Sequence, residues 1–366
     1  MINPNGPFLL LDEQRCKRNI KRMAQKAEKA QLLFRPHFKT HQSKAIGCWF
    51  KEEGVHQITV SSVSMAQYFA SEWTDISIAF PLNVHEIPAI NDLAHQIKVQ
   101  VLVENPSQVE ALAQRVRQPV GVFLNLDVGY HRSGLDPGDY QSMDGLIEEI
   151  ESAEFLAFKG WLGHAGHSYR CRSKAEILEV HQQSQEIITK LKRNYANRYP
   201  QAIISLGDTP TCSAAQQFDG IDEIRPGNFV FYDLTQQAIG SNAFEDIAVA
   251  MSCPVVAIHP NRNEVVVYGG GAHFSKDRLP QADGRITWGQ VMQEDGDSWG
   301  ESVDGMYLKS LSQEHGILSV PSENLANLYI GKRLLIAPVH SCMAALCMGG
   351  YVTTEGKQLD HAAGAG

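Results

Sequence analysis

Eight short apolar runs, separated by amphipathic stretches, restrict the fold of this chain more than any other feature. The stretches "NVHEIPAINDLAHQ", "PSQVEALAQRV" and "KAEILEVHQQSQEIITKLK" carry apolar residues at helical spacing. Strands that alternate with helices are typical of parallel βαβ units. Eight runs by about residue 232 predict a (β/α)8 barrel of the TIM type, with a doubly wound open sheet as the alternative. The runs are "LLFRPHFK", "HQITVSS", "DISIAF", "KVQVLVE", "VGVFLNLDV", "FKGWLGHA", "AIISLGD" and "EIRPGNFVFY".

The pattern changes after about residue 245. "AVAMSCPVVAIHP", "NEVVVYGGG" and "RLLIAPVHSC" are β-type runs divided by turn residues, with few helical patterns between them. We therefore predict a barrel domain over 11–245 and a β-rich domain over 246–366. The early run "PFLLL" at 7–11 is a further strand that could join the second domain.

Composition narrows the classes of function. The 366 residues carry a net charge of −9, which argues against a nucleic-acid partner. No apolar run reaches the roughly 20 residues of a membrane helix, and the first residues lack a signal-peptide pattern. The seven cysteines show no framework spacing, which is typical of reduced thiols. We expect a cytoplasmic protein with no membrane span.

Lys39 is the first candidate for chemistry, because reactive residues of such barrels lie at the C-terminal ends of the strands. It closes the first run, within "RPHFKTH". Positive charge on Arg35, His37 and His41, together with partial burial, would lower the pKa of this lysine. A lysine with a lowered pKa is what Schiff-base chemistry requires.

Other strand ends carry polar groups as well. "LDVGYHRSGL" places Asp127 and Arg132 after the fifth run, and "WLGHAGHSY" places His164, His167 and Tyr169 after the sixth. The turns "SLGDTPTCS" and "RPGNFVFYD" can present backbone N–H groups and hydroxyls to a phosphate; their candidate residues are Gly207, Thr209, Thr211, Gly227 and Asn228. One face of the barrel would thus carry a lysine, side chains that can contact a ring, and turns that can bind a phosphate. This combination favours pyridoxal phosphate as cofactor.

The ordered motifs "RPHFKTH", "LDVGYHRSGL", "GHAGHSY", "GDTPT", "RPGNFVFYD" and "HSC" resemble the D-serine dehydratase and D-threonine aldolase family, which is alanine racemase-like. The resemblance covers nearly the whole chain. It implies pyridoxal phosphate bound as a Schiff base to Lys39. It further implies Arg132 at the cofactor's phenolic oxygen, His164 against the pyridine ring and Arg225 near the ring nitrogen. The phosphate turns would contain Gly207, Thr209, Gly227 and Asn228, and Tyr169 is a further candidate at the cofactor.

"PVHSCMAAL" contains His340 and Cys342, an H-x-C pair. On a strand, residues two apart face the same side and could hold one ion. Spacing alone leaves open a core histidine beside an unrelated thiol. The family resemblance implies that the pair is a metal site, and a thiolate with an imidazole favours Zn²⁺ over Mn²⁺ or Mg²⁺.

These residues predict a lyase that acts on β-hydroxy D-amino acids. The first expectation is a D-serine dehydratase, which yields pyruvate and ammonia. The alternative is a D-threonine aldolase that yields glycine and an aldehyde. A racemase, a pyridoxal-phosphate carrier without catalysis and a plain metallohydrolase explain fewer of the motifs. By analogy with alanine racemase-like enzymes we expect a homodimer.

Overall fold

The computed structural model describes residues 5–364, which form two compact units. One unit contains the described residues up to Ile20, then Thr40–Ile46, and the chain from Asn228 onward. The other contains Lys21–Lys39 and Gly47–Gly227. In the described part of the chain, no helix is long and apolar enough to cross a membrane.

The second of these units is an all-parallel sheet of eight strands. The strands follow the order β2-β9-β8-β7-β6-β5-β4-β3, so β2 and β3 are the edge strands. A parallel bridge between His37, just after β2, and Thr59 in β3 connects these edges, so the sheet curls back on itself. The strands are β2 (Leu33–Phe34), β3 (Ile58–Val60), β4 (Asp75–Pro81), β5 (Lys98–Val103), β6 (Val120–Leu126), β7 (Leu156–Gly163), β8 (Ile203–Leu206) and β9 (Glu223–Ile224). Each coincides with one predicted run, so the predicted eight-stranded α/β barrel is confirmed.

A helix follows each of the strands β2–β8, as the amphipathic stretches predict. Several begin with a side-chain cap; Asn105, for example, accepts a hydrogen bond from the backbone N–H of Gln108. Before the first barrel strand lies α1 (Glu13–Lys29). The others are α2 (Lys44–Glu52), α3 (Val63–Phe69), α4 (Ile87–Ala94), α5 (Pro106–Arg115), α6 (Tyr140–Ser152), α7 (Lys174–Tyr195) and α8 (Thr209–Ala214).

Apolar and polar groups both fill this sheet. Leu102, Phe123 and Leu162 form a buried apolar cluster, because continuous apolar strands bury both of their faces. Arg35 is ion-paired with Asp75 at 2.5 Å and with Glu223 at 2.7 Å. Its charge is therefore compensated within the sheet.

The other unit is built on a nine-stranded sheet in the order β11-β16-β15-β14-β17-β10-β1-β18-β19. Strand β1 (Phe8–Leu11) pairs with β10 (Val249–His259) and with β18 (Tyr351–Thr353). The remaining strands are β11 (Glu264–Tyr268), β14 (Gly289–Asp295), β15 (Ser298–Leu311), β16 (His315–Ser319), β17 (Arg333–Pro338) and β19 (Gln358–Leu359), with a separate hairpin of β12 (Leu279–Pro280) and β13 (Ile286–Thr287). Its helices are α9 (Leu234–Ala238), α10 (Gly271–Phe274), α11 (Ser322–Leu325) and α12 (Ser341–Met348).

Candidate active site

Lys39 lies in the turn that follows β2, but its surroundings differ from those that the sequence predicts. The lysine is exposed rather than partly buried. The positive charge of Arg35 is compensated by its two carboxylate partners. Burial and the neighbouring His361 lower the pKa of His41 to about 3, so that this ring is neutral near pH 7. The predictions that Lys39 is partly buried and that His41 carries a positive charge beside it are therefore wrong. The lowered pKa of Lys39 stays a prediction.

His164 is fixed at the end of β7, where its Nδ1 atom lies 3.1 Å from the carbonyl oxygen of Gly207. Burial first, and then the charges of Lys39, Arg132 and Arg225, lower the pKa of His164 to about 3. The ring is consequently neutral near pH 7. The cations that act on it come from three different strand ends, which the barrel brings together.

Arg225 is a buried guanidinium with two of its nitrogens engaged. Its Nε atom donates to Ser205 Oγ at 2.7 Å, and Nη2 donates to the carbonyl oxygen of Gly163. Among the described residues its Nη1 atom has no protein acceptor. Burial lowers the pKa of Arg225 to about 10, which leaves it charged near pH 7. A fixed cation with an unused donor is suited to a bound acceptor.

The turn after β8 allows a close approach of backbone. Gly207 has φ +153°, and a Cβ atom there would lie 2.9 Å from the backbone nitrogen of Arg225. Thr209 begins α8 and is buried. Asp208 caps that helix and accepts hydrogen bonds from Thr211 and Ser168, so its carboxylate is directed into the protein. Gly227 lies three residues after β9 and is the last residue of the barrel unit.

Arg132 and Tyr169 lie on the loops after β6 and β7. The guanidinium carbon of Arg132 is 5.1 Å from the centre of the Tyr130 ring. Tyr169 is half-buried in a short 3₁₀ helix, Gly166–Arg170. These loops follow neighbouring strands, so the two predicted residues belong to one edge of the barrel.

His340 and Cys342 lie where β17 gives way to α12, and the prediction that they share a strand is wrong. His340 is the N-cap of α12, and Cys342 is in its first turn. The apolar run "PVHSCMAAL" fits a strand or a helix equally well, so periodicity alone does not separate the two. The two side chains nevertheless interact, because each shifts the pKa of the other.

The electrostatics of the pair favour a thiolate. Burial acts to raise the pKa of Cys342, but the His340 ring and the hydroxyl of Thr40 outweigh it and lower that pKa. Thr40 Oγ1 lies 3.2 Å from Cys342 Sγ. Asp277 Oδ2 lies 3.5 Å from His340 Nδ1, and with Cys342 it raises the pKa of His340 against the effect of burial. A carboxylate at Nδ1 leaves Nε2 as the ring nitrogen available to a metal.

A buried carboxylate fixes the first turn of α12. Asp233 Oδ2 accepts hydrogen bonds from the backbone N–H of Ser341 at 3.0 Å and from Asn228 Nδ2 at 2.6 Å. The same amide nitrogen lies 3.4 Å from Cys342 Sγ. The side-chain nitrogen of Asn228 is thus engaged beside the H-x-C pair.

Sequence reasoning missed Asp233, Asp277, Thr40 and Tyr130. Thr40 is adjacent to Lys39 in the chain, and Tyr130 stands within the quoted motif "LDVGYHRSGL", so both could have been noted. Asp277 is separated from His340 by more than sixty positions, and nothing in its local sequence marks the contact. In the described part of the chain, no group of three or more His, Cys, Asp or Glu side chains is arranged to hold a metal ion.

Comparison with protein families divides the chain into two matched segments. Residues 11–234 match the family described as "Alanine racemase, N-terminal domain". Residues 248–354 match "Putative serine dehydratase domain". The first match alone covers more than half of the chain.

Curated relatives are similar over almost their whole length. D-serine dehydratase of Dictyostelium discoideum is 28% identical over 95% of this chain and 93% of its own. D-threo-3-hydroxyaspartate dehydratase of Delftia sp. is 29% identical over 93% and 92%. D-threonine aldolase of Arthrobacter sp. is 24% identical over 91% and 85%.

Solved structures show the same fold. D-threo-3-hydroxyaspartate dehydratase of Delftia sp. HT23 superposes with a TM-score of 0.88 at 26% identity, over 97% of both chains. A mutant of D-threo-3-hydroxyaspartate dehydratase in a metal-free form has a TM-score of 0.90 at 27% identity, again over 97% of both. The D-threonine aldolase of Filomicrobium marinum, 22% identical over 98% of this chain and 95% of its own, has a TM-score of 0.82.

Proposed function

This chain belongs to the alanine racemase-like family that contains the D-serine dehydratases and D-threonine aldolases, and we propose that it dehydrates β-hydroxy D-amino acids, D-serine foremost. The D-amino acid dehydratases and aldolases of this family are lyases that depend on pyridoxal phosphate. D-serine would be converted to pyruvate and ammonia, with neither oxidation nor reduction.

The residues around His164 fit pyridoxal phosphate. Arg225 has a buried, positively charged guanidinium whose Nη1 lacks a protein acceptor among the described residues, which suits a ring nitrogen that accepts a hydrogen bond. Gly207 lets the turn after β8 approach the backbone of Arg225 closely, which a Cβ atom at that position would prevent. Lys39 would hold the cofactor covalently, Arg132 its phenolic oxygen, and the backbone at Thr209, Gly227 and Asn228 its phosphate.

The residues around Cys342 fit a zinc ion. A thiolate and an imidazole are zinc ligands, and two protein ligands leave positions open for a substrate oxygen. Asp277 at His340 Nδ1 supplies the carboxylate that commonly orients a metal-binding histidine. When bound, pyridoxal phosphate supplies an electron sink for the substrate carbon and the metal supplies Lewis acidity at the β-hydroxyl.

The protein's own groups have distinct tasks in this proposal. Lys39 Nζ takes the proton from Cα of the substrate. His164, neutral near pH 7, is an uncharged ring against the cofactor and does not compete for that proton. Thr40 is the residue after Lys39 in the chain, and its hydroxyl at Cys342 Sγ helps to keep the sulfur in the form that binds metal.

The sulfur ligand at position 342 is the observation that favours dehydration over retro-aldol cleavage. The family resemblance implies that an aldolase has a carboxylate at this position, which suits magnesium or manganese, whereas a thiolate suits the more strongly Lewis-acidic zinc. Loss of a β-hydroxyl requires that stronger polarisation, because hydroxide is a poor leaving group near neutral pH. A cysteine rather than a carboxylate at position 342 therefore supports the dehydratase.

One assay with four substrates tests the proposal. Purified protein is incubated with D-serine, D-threonine and their L-forms, and pyruvate, 2-oxobutyrate, glycine and aldehyde are measured. We expect pyruvate from D-serine, and 2-oxobutyrate rather than glycine from D-threonine. Cleavage of D-threonine to glycine and acetaldehyde, with no keto acid from D-serine, would make the aldolase the correct assignment.

A further inference from the structure

The segment 269–277 brings Asp277 to the His340 ring, and a serine near its end has an unusual backbone conformation. Ser275 directly follows α10 and has φ +70° and ψ −167°. Residues other than glycine rarely adopt this conformation, because their Cβ atom is crowded there. Ser275 is also buried. A glycine would relieve the strain at this position, so the presence of a hydroxyl instead points to a task for that group.

The neighbouring parts of the segment are fixed, so a small shift of the chain cannot relax the turn at Ser275. At its start, backbone N–H groups of residues 269–272 donate to the carbonyl oxygens of residues 312–314, between β15 and β16, at 2.7–3.0 Å. Phe274, directly before the turn, is 2% exposed. The strained conformation is therefore imposed by packing, and it directs the chain toward Asp277.

The hydroxyl of Ser275 contacts Asp277 in two ways. Its Oγ atom donates to Asp277 Oδ2 at 2.6 Å and accepts a hydrogen bond from the backbone N–H of Asp277 at 3.2 Å. Asp277 Oδ2 is the same oxygen that lies 3.5 Å from His340 Nδ1. The hydroxyl thus restrains both the backbone of Asp277 and the direction of its carboxylate.

This restraint matters because the Asp277 carboxylate is not enclosed. Its side chain is 41% exposed. Among the described residues, no lysine or arginine pairs with it. Without the hydroxyl of Ser275, the carboxylate could turn toward solvent and leave the His340 ring. The orientation of the imidazole therefore depends on Ser275 through Asp277.

We propose that Ser275 is a positioning residue for the metal site: its hydroxyl aims Asp277 at His340 Nδ1, which leaves Nε2 directed at the ion. Carboxylates that orient a metal-binding histidine contribute to metal affinity, so the restraint on Asp277 should appear in the affinity for zinc. This inference rests on the metal site of the proposed function. It holds whether the reaction at that site is dehydration or retro-aldol cleavage.

The test measures zinc affinity in Ser275→Ala and Ser275→Gly, by competition with a chelator in the enzyme that carries its cofactor. Both variants lack the hydroxyl, so we expect both to bind zinc about tenfold more weakly than the native enzyme. They differ in backbone strain, which glycine relieves and alanine keeps. The urea midpoint of the metal-free enzyme should therefore be higher for Ser275→Gly than for Ser275→Ala, although their zinc affinities are equal.

A serine with a merely structural role would give a different pattern. Zinc affinity would then follow stability, and Ser275→Gly would bind zinc more tightly than Ser275→Ala; this result would overturn the inference. Native affinity in both variants would do the same. Asn263→Gly is the matched control, because it replaces an exposed residue that also has a positive φ, +53°, and it should leave zinc affinity unchanged.

A double mutant tests whether Ser275 acts through Asp277. Asp277→Asn removes the carboxylate, so adding Ser275→Ala to it should cause no further loss of zinc affinity. Additive losses would mean that Ser275 acts elsewhere and would contradict the inference. Zinc binding is measured without turnover, so an enzyme that proves to be an aldolase leaves this test intact. A native enzyme that binds neither zinc nor manganese would overturn the metal site and this inference together.

Discussion

The residues around His164 and those around Cys342 differ in charge: the first group contains cations, and the second contains acids. Lys39, Arg132 and Arg225 all act on His164 as positive charges, and Arg225 has a donor without a protein acceptor among the described residues. Around the His340–Cys342 pair the acids are Asp277, which acts on His340, and Asp233, which acts on both. The first group is suited to an anionic cofactor and the second to a metal cation.

The two groups also differ in how the chain assembles them. The cations of the first group come from three separate strand ends, and the His164 ring and the Arg225 guanidinium lie against the carbonyl oxygens of Gly207 and Gly163. The second group is built on His340 and Cys342, which stand two positions apart at the start of α12. Acids from distant parts of the chain, such as Asp277, complete it. The order of the barrel strands brings the residues of the first group together, whereas His340 and Cys342 are neighbours because they are close in sequence.

The sharpest way to break the cationic group is Lys39→Ala. We expect turnover to fall by about 10⁴-fold or more, because covalent attachment and the base at Cα are lost together. Reduction with borohydride followed by peptide mass spectrometry should find the cofactor on the peptide that contains residue 39 in the native protein and on none in the variant. A reducible cofactor linkage that persists in Lys39→Ala would refute the assignment.

Cys342→Ala tests whether the anionic group can be removed without the cationic one. Loss of the Lewis acid should slow elimination on the order of a thousandfold, while cofactor absorbance stays and D-serine slowly exchanges its Cα proton in D₂O. Cys347→Ala removes an exposed cysteine from the same helix and is the matched control. Full dehydratase activity in a metal-free preparation would contradict the zinc assignment.

A milder change to the anionic group is Asp277→Asn. The amide cannot orient the His340 ring as the carboxylate does, so zinc affinity should fall by about 10- to 100-fold. Competition with a chelator measures it, without reference to turnover. Asp283→Asn replaces an exposed acid whose recorded partner is Arg285 and should leave zinc affinity unchanged. Equal affinities in the two variants would show that Asp277 does not orient the histidine.

The sequence predicted the strands well and the charge environment poorly, for different physical reasons. Parallel strands buried on both faces appear as apolar runs, so all eight could be read directly. The charge of Arg35 is compensated by Asp75 and Glu223, which lie 40 and 188 positions away along the chain. Local sequence carries no signal for such pairs, and Asp277 escaped notice for the same reason. The H-x-C pair was found, but the helix that begins there was not, because a short apolar run fits both periods.

The comparison extends to a histidine of the other unit, because burial lowers the pKa of His361 as it lowers that of His164. His361 is 3% exposed, and its Nδ1 atom accepts a hydrogen bond from the backbone N–H of Ala363 at 3.0 Å. Its Nε2 atom has no partner among the described residues. Burial, only partly opposed by the charge of Asp360, lowers the pKa of His361 to about 4.

His361→Gln should therefore make the protein less sensitive to mild acid. Between pH 6.5 and about pH 4 the unfolded chain binds the proton that folded His361 refuses, so stability falls as the pH falls through this window. The slope is at most about 1.4 kcal/mol per pH unit for one histidine, or about 2 kcal/mol between pH 7.5 and pH 5. Urea unfolding at both pH values should show that much less change in His361→Gln, whereas His56→Gln, which alters an exposed histidine, should follow the native protein. An unaltered pH dependence in His361→Gln would mean that another buried group, such as His41, accounts for the acid sensitivity.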